Sequence, residues 1–315
     1  MEPPLRRRSL FLAIALALAT SARAAVPLSG DVLAVESSQR RVIVVSALDG
    51  ARSVLTTSPL PAGPGDAALA RGGPLYVAIT GALVGVVRVD LASGNWSWVT
   101  TGGLLTLPLA LALDRDGALL VVEGSGAGSI VRVDPVSGTQ STAVPASAAL
   151  GARGIVVLAN GDFLVSTGSR IARWNRGGGT ATTFASGADL IFPTQLTLMP
   201  AAGKLAVCAH ETILDAGVLL VMDATTGARS PAIRGLNILR DVTVALDGNL
   251  VFCDGGTTVG RSPIGGPWTV LTTWGGASDP LDPTGTNSYR GVAVMDGPTA
   301  ARTTSWGQLK RLYRP

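Results

Sequence analysis

The chain has 315 residues, of which 47 % are hydrophobic and only 15 % charged, with a formal net charge of +4. Glycine is abundant at 40 residues and aromatics make up 4 %. That mix excludes a disordered or coiled-coil chain and suits many short strands joined by tight turns. The basic excess sits largely at the N-terminus: without Arg6, Arg7, Arg8, Arg23 and Glu2 the remainder is close to neutral. No lysine- or arginine-rich run follows, so nucleic acid is not an expected partner.

Residues 1–24 read as a signal peptide. Arg6–Arg8 supply a positive n-region, Leu10 to Ala19 a short apolar core, and Ala22-Arg23-Ala24 the small residues of a cleavage site. The apolar run is shorter than the roughly 20 residues a spanning helix needs. The expectation is therefore an exported chain, secreted or periplasmic, starting at Ala25 with no membrane insertion after cleavage.

Residues 25–315 read as one domain built on an internal repeat. The segment LALDRDGALLVVEGSGAGSIVRVDPVSG, Leu111 to Gly138, runs apolar strand, Asp-Gly turn, apolar strand, glycine-rich loop, third strand ending in Asp-Pro, second turn. The order recurs as IVVLANGDFLVSTG from Ile155 and VTVALDGNLVFCDGG from Val242, with looser copies from Ala68 and Leu196. The turn glycines Gly30, Gly73, Gly117, Gly161, Gly203, Gly248 and Gly297 follow one another at intervals of 42 to 49 residues. Such a period with several strands per unit predicts an all-β propeller of four-stranded antiparallel blades. Seven anchors predict seven blades; six is the alternative if the last unit completes the first. The last unit offers strands near Gly291–Met295, Thr299–Thr303 and Gln308–Tyr313.

Aligning the units turns columns into rings around the propeller axis. One column ends the second strand and includes Glu36, Glu123 and Asp254. Another, placed just before the innermost strand, reads Gly65, Leu109, Arg153, Thr194, Arg240 and Arg290. Arginine forks onto carboxylates and phosphates through paired hydrogen bonds, so Arg153, Arg240 and Arg290 are the candidate ligand-binding residues. The two rings neutralising one another is the competing expectation. Cys208 and Cys253 occupy one column of adjacent units. Blades pack about 10 Å apart and a disulfide needs Cα atoms within about 7 Å, so both are expected as free, buried thiols.

The pattern of apolar strand, Asp-Gly, apolar strand ending in Asp or Glu, then a strand of the type xIxRVDPxxG resembles the NHL-repeat and SMP-30/gluconolactonase-like propellers, and the virginiamycin B lyase group. The resemblance implies the fold, and a function among lactonases, lyases and binding modules. Gluconolactonase-like enzymes hold a divalent cation with a Glu, two Asn and an Asp; Glu36 fits the glutamate, but Pro108-Leu109-Ala110 and Leu239-Arg240-Asp241 stand where other ligands would be expected. Lyases of the virginiamycin B type imply a histidine with glutamate-held magnesium, which His210 and Glu211 resemble. One histidine cannot build a multi-histidine zinc site. The expected function is a binding module presenting its channel mouth to a small anionic molecule or a protein. The alternative is a metal-dependent lactonase- or lyase-type enzyme using Glu36, Glu123, Asp254 or His210 with a divalent cation, Ca or Mg.

Overall fold

The computed structural model describes residues 26–124, 128–187, 190–210, 217–254, 257–273 and 289–295. The signal peptide, Glu211, Gly297 and the expected strands at Thr299–Thr303 and Gln308–Tyr313 lie outside them.

The strands follow in chain order: β1 (Val32–Glu36), β2 (Arg41–Val45) and β3 (Arg52–Val54); β4 (Gly63–Leu69), β5 (Leu75–Thr80), β6 (Gly85–Val89) and β7 (Trp96–Thr101); β8 (Pro108–Leu113), β9 (Leu119–Glu123), β10 (Ser129–Val133) and β11 (Gln140–Val144). Then come β12 (Ala152–Val157), β13 (Phe163–Thr167), β14 (Arg170–Asn175) and β15 (Gly178–Ser186); β16 (Leu196–Met199), β17 (Lys204–His210), β18 (Gly217–Asp223) and β19 (Arg229–Leu236). Last are β20 (Leu239–Val244), β21 (Leu250–Asp254), β22 (Thr258–Ser262), β23 (Thr269–Thr273) and β24 (Tyr289–Val294). They form six four-stranded sheets, with β24 joined to β1–β3.

The propeller therefore has six blades, not the seven that the repeat count predicts. The first sequence unit lacks an inner strand, and β24 supplies it, pairing antiparallel with Val32 opposite Val294 and Leu33 opposite Ala293. The first and last units are one blade. Closure in this way pairs an inner edge that would otherwise expose a row of backbone groups.

Conformation explains most of the turn glycines, although in the second unit Gly72, with φ of 60°, and not the aligned Gly73 takes the left-handed position. Gly117, Gly161 and Gly248 have φ of 83°, 90° and 81°, which a side chain disfavours. The aspartates ending the third strands act similarly: Oδ1 of Asp90, Asp134 and Asp223 accepts backbone N–H groups from the two or three residues that follow. The Ser93 hydroxyl, and then Ser93 N–H, hold Asp90 below its ordinary pKa, and the N–H groups of Ser137 and Thr226 do the same for Asp134 and Asp223.

Period two sends alternate side chains of one strand to opposite neighbours. Leu33 and Val35 pack toward the second blade, Val32 and Ala34 toward the sixth. The second strands are accordingly apolar almost throughout, as in β9, Leu-Leu-Val-Val-Glu, buried at every position. Cys208 belongs to the core between the fifth and sixth blades and Cys253 to that between the sixth and first. Both thiols are free and buried, and burial pushes their pKa well up. Among the described residues no helix is long and apolar enough to cross a membrane.

Candidate functional site at the channel mouth

The inner strands share an irregularity that builds the site. Pairing slips between Pro64 and Asp66, Pro108 and Ala110, Ala152 and Gly154, and Leu239 and Asp241. In the closing strand, Gly291 faces Val35 while Tyr289 faces Glu36, leaving Arg290 as the extra residue. In the fifth blade Thr194 holds the place: its N–H donates to Cys208 O at 2.8 Å, while Cys208 N–H donates to Gln195 O at 2.9 Å. The arginine column is thus not a lead-in to the inner strand. It is the β-bulge inside it. A bulge leaves one residue unpaired and re-aims its side chain, here toward the axis.

Because β24 belongs to the first blade, the column closes into one ring: Arg290, Gly65, Leu109, Arg153, Thr194, Arg240, in blade order. All six line one cavity of about 580 Å³. Arg153 and Arg240 are exposed and Arg290 half-buried. No aspartate or glutamate lines this cavity among the described residues. Arg153 and Arg290 make no ion pair within that set.

The acidic column is engaged by neighbouring loop and strand residues. Oε1 of Glu36 accepts Ser38 Oγ–H at 2.9 Å and Gln39 N–H at 2.8 Å, and Oε2 accepts Arg41 Nε–H at 2.6 Å. Glu123 accepts the N–H of Thr106 at 2.9 Å and of Leu107 at 3.0 Å, and the Thr106 hydroxyl at 2.6 Å. Asp254 accepts Asn237 N–H at 2.6 Å, and burial raises its pKa. In Glu123 and Asp254 the bonded segment is the one that leads into the inner strand of the same blade, so these carboxylates hold the loops that deliver Leu109 and Arg240. Among the described residues no group of three or more His, Cys, Asp or Glu is placed to hold a metal ion. Both oxygens of Glu36 and of Glu123 are engaged by protein donors, as is Oδ1 of Asp254.

His210, the last residue of β17, lines the arginine cavity, and its N–H donates to Ile191 O at 2.8 Å. Its ring meets Phe192 edge to face, centroids 6.1 Å apart.

One residue deeper runs a second ring that the sequence reading missed: Asp66, Ala110, Gly154, Gln195, Asp241 and Gly291. Asp66 Oδ2 accepts Leu111 N–H of the next blade at 3.0 Å. Asp241 accepts Val242 N–H and, from the closing strand, Val292 N–H, both at 2.7 Å. Both aspartates are buried. Burial raises Asp66 to about 6; burial and then the charge of Asp66 push Asp241 well up. Together with Gln195 they line a channel cavity of about 330 Å³, and Gln195 also lines the mouth above. Moving the arginine column by one position would have exposed this ring.

No family model and no curated protein sequence matches the chain. Solved structures do. A chain of a nidogen/laminin complex is 16 % identical, with a TM-score of 0.68 over 85 % of this chain and 99 % of that one. A gluconolactonase from Xanthomonas campestris is 19 % identical, TM-score 0.55, over 69 % and 76 %. The PQQ-bound aldose sugar dehydrogenase from Streptomyces coelicolor is 15 % identical, TM-score 0.53, over 72 % and 85 %. The fold is the β-propeller that these structures share with this chain. At these identities the likeness carries the fold and no activity.

Proposed function

We propose that this propeller is a binding module, exported on the strength of its N-terminal segment, that takes a small carboxylate or phosphate compound at its channel mouth. The observation that carries the reading is the convergence of Arg153, Arg240 and Arg290 on one cavity that no carboxylate lines among the described residues. Cationic side chains gathered in a concave site raise the local concentration of anions and bind them through charge-assisted hydrogen bonds. The size of the cavity suits a small molecule, since ligand pockets usually span roughly 300–1,000 Å³. The alternative, a lactonase- or lyase-type reaction, would use Glu36, Glu123, Asp254 or His210 with a divalent cation, and of these only His210 lines the cavity.

The test is calorimetric titration of the full chain with inorganic phosphate and small phosphonates, alongside the double variant Arg153→Ala/Arg290→Ala. Loss of hydrogen bonds to a charged group should weaken binding at least about tenfold. The melting temperature should barely move, because neither side chain pairs among the described residues. Wild-type protein that binds no anion, or a variant that binds as well, would end the proposal.

A further inference from the structure

We infer that the ligand at this mouth is a planar aryl anion, an aromatic carboxylate or aryl phosphate, whose ring lies against Phe192 while its acidic group meets the arginines. The inference rests on the anion-binding reading above and specifies its substrate class.

Phe192 is a large apolar side chain left 47 % exposed on the wall of a charged cavity. Its backbone is unusual too, with φ of 41°, in the left-handed region that bulky residues rarely enter. The segment is held there from both sides. Before it, Ile191 O accepts His210 N–H at 2.8 Å; after it, Thr194 N–H donates to Cys208 O at 2.8 Å. Such a conformation persists only where the surroundings over-determine it, and it gathers at ligand clamps. What it achieves here is to keep the phenyl ring out of the blade cores and on the cavity wall. The His210 ring, 77° to the phenyl plane, braces it.

The placement around the axis supplies the rest. Phe192 and His210 sit with the fifth blade, where the bulge residue is the small, uncharged Thr194. On either side stand the bulge arginines of the fourth and sixth blades, Arg153 and Arg240. An aromatic surface is therefore flanked by two cationic positions of one ring, and Ile238 and Leu109 extend the apolar lining. A flat ring carrying one acidic substituent satisfies both features. An aliphatic acid satisfies only the second.

Phenylphosphonate and cyclohexylphosphonate carry the same acidic group on rings of similar size, one aromatic and one not. Titrated by calorimetry, the full-length protein should prefer phenylphosphonate by at least about threefold, the scale of one aromatic pair. Phe192→Leu, an exposed apolar exchange that should leave the fold intact, should abolish the preference while retaining phosphonate binding, and Phe192→Trp should keep it. Equal affinity for both probes in the wild type, or a preference that survives Phe192→Leu, would overturn the aryl inference and leave the anion site standing. Failure of the wild type to bind either phosphonate or inorganic phosphate would remove both readings.

Discussion

The arginines beside the Asp-Gly turns and the arginines at the bulges stand in opposite surroundings, although Arg41 pairs with Glu36 at the mouth end as well. At the end carrying the Asp-Gly turns, arginines meet aspartates: Arg132 with Asp114, Arg173 with Asp162 at 2.7 Å, Arg176 with Asp116, and Arg261 with Asp247. At the mouth, Arg153, Arg240 and Arg290 face a cavity with no lining carboxylate among the described residues. The difference is geometric. Arg132, Arg173 and Arg261 lie on third or neighbouring strands of the same hairpin set as their aspartates, so pairing is a short-range affair within a blade. A bulge residue on an inner strand points to the axis, where its neighbours are the bulge residues of other blades. The other bulge positions of the ring, Gly65, Leu109 and Thr194, carry no charge.

The contrast can be broken most severely at the mouth-end carboxylates, which it treats as structural. Glu123→Ala leaves the N–H groups of Thr106 and Leu107 and the Thr106 hydroxyl without their acceptor, and should cost about 3 kcal/mol in urea unfolding. An unchanged midpoint would mean this carboxylate is available to the arginines after all.

A smaller effect is expected from the buried ring below. Asp66 rises from 3.8 to about 6, so the folded protein holds that proton more tightly than the unfolded chain between those values. Stability from this group is present below the lower value and lost as pH climbs through the upper one. Compared with Asp66→Asn, the wild type should lose on the order of 2 kcal/mol from about pH 4 to about pH 6. Parallel stability-versus-pH curves for the two proteins would show that burial does not govern the group.

The least change is expected at the opposite end. Arg176 and Asp116 retain 48 % and 60 % side-chain exposure, so Arg176→Ala should shift stability by no more than about 0.5 kcal/mol. Phosphonate affinity at the mouth should not change. A fall in affinity comparable to that of the Arg153→Ala/Arg290→Ala variant would mean that net charge, not the ring, attracts the anion.

Much of the site was legible before the fold was known. Units aligned on Gly161, Gly248 and Gly297 keep their register to within one residue, so Arg153, Arg240 and Arg290 fall in one column, and all three line one cavity. Asp66 and Asp241 were not read as a site because neighbours in sequence at a bulge carry unlike roles. One points into the mouth and the next into the channel, and only the slip in pairing says which. Phe192 carried no signal at all, since nothing in Ile191-Phe192-Pro193 marks a left-handed phenylalanine.

What the sequence by itself determined is the repeat, the four-stranded blade and the free cysteines, because each depends on local turn chemistry and period-two burial. The tertiary structure alone decided the blade number and the bonding of Glu123 and Asp254 to the loops that enter their own inner strands. The first depends on which strand edge meets which across the closed ring: β24 completes the first blade because an unpaired inner edge is costly. The carboxylates turn to their own loops because buried N–H groups there require acceptors.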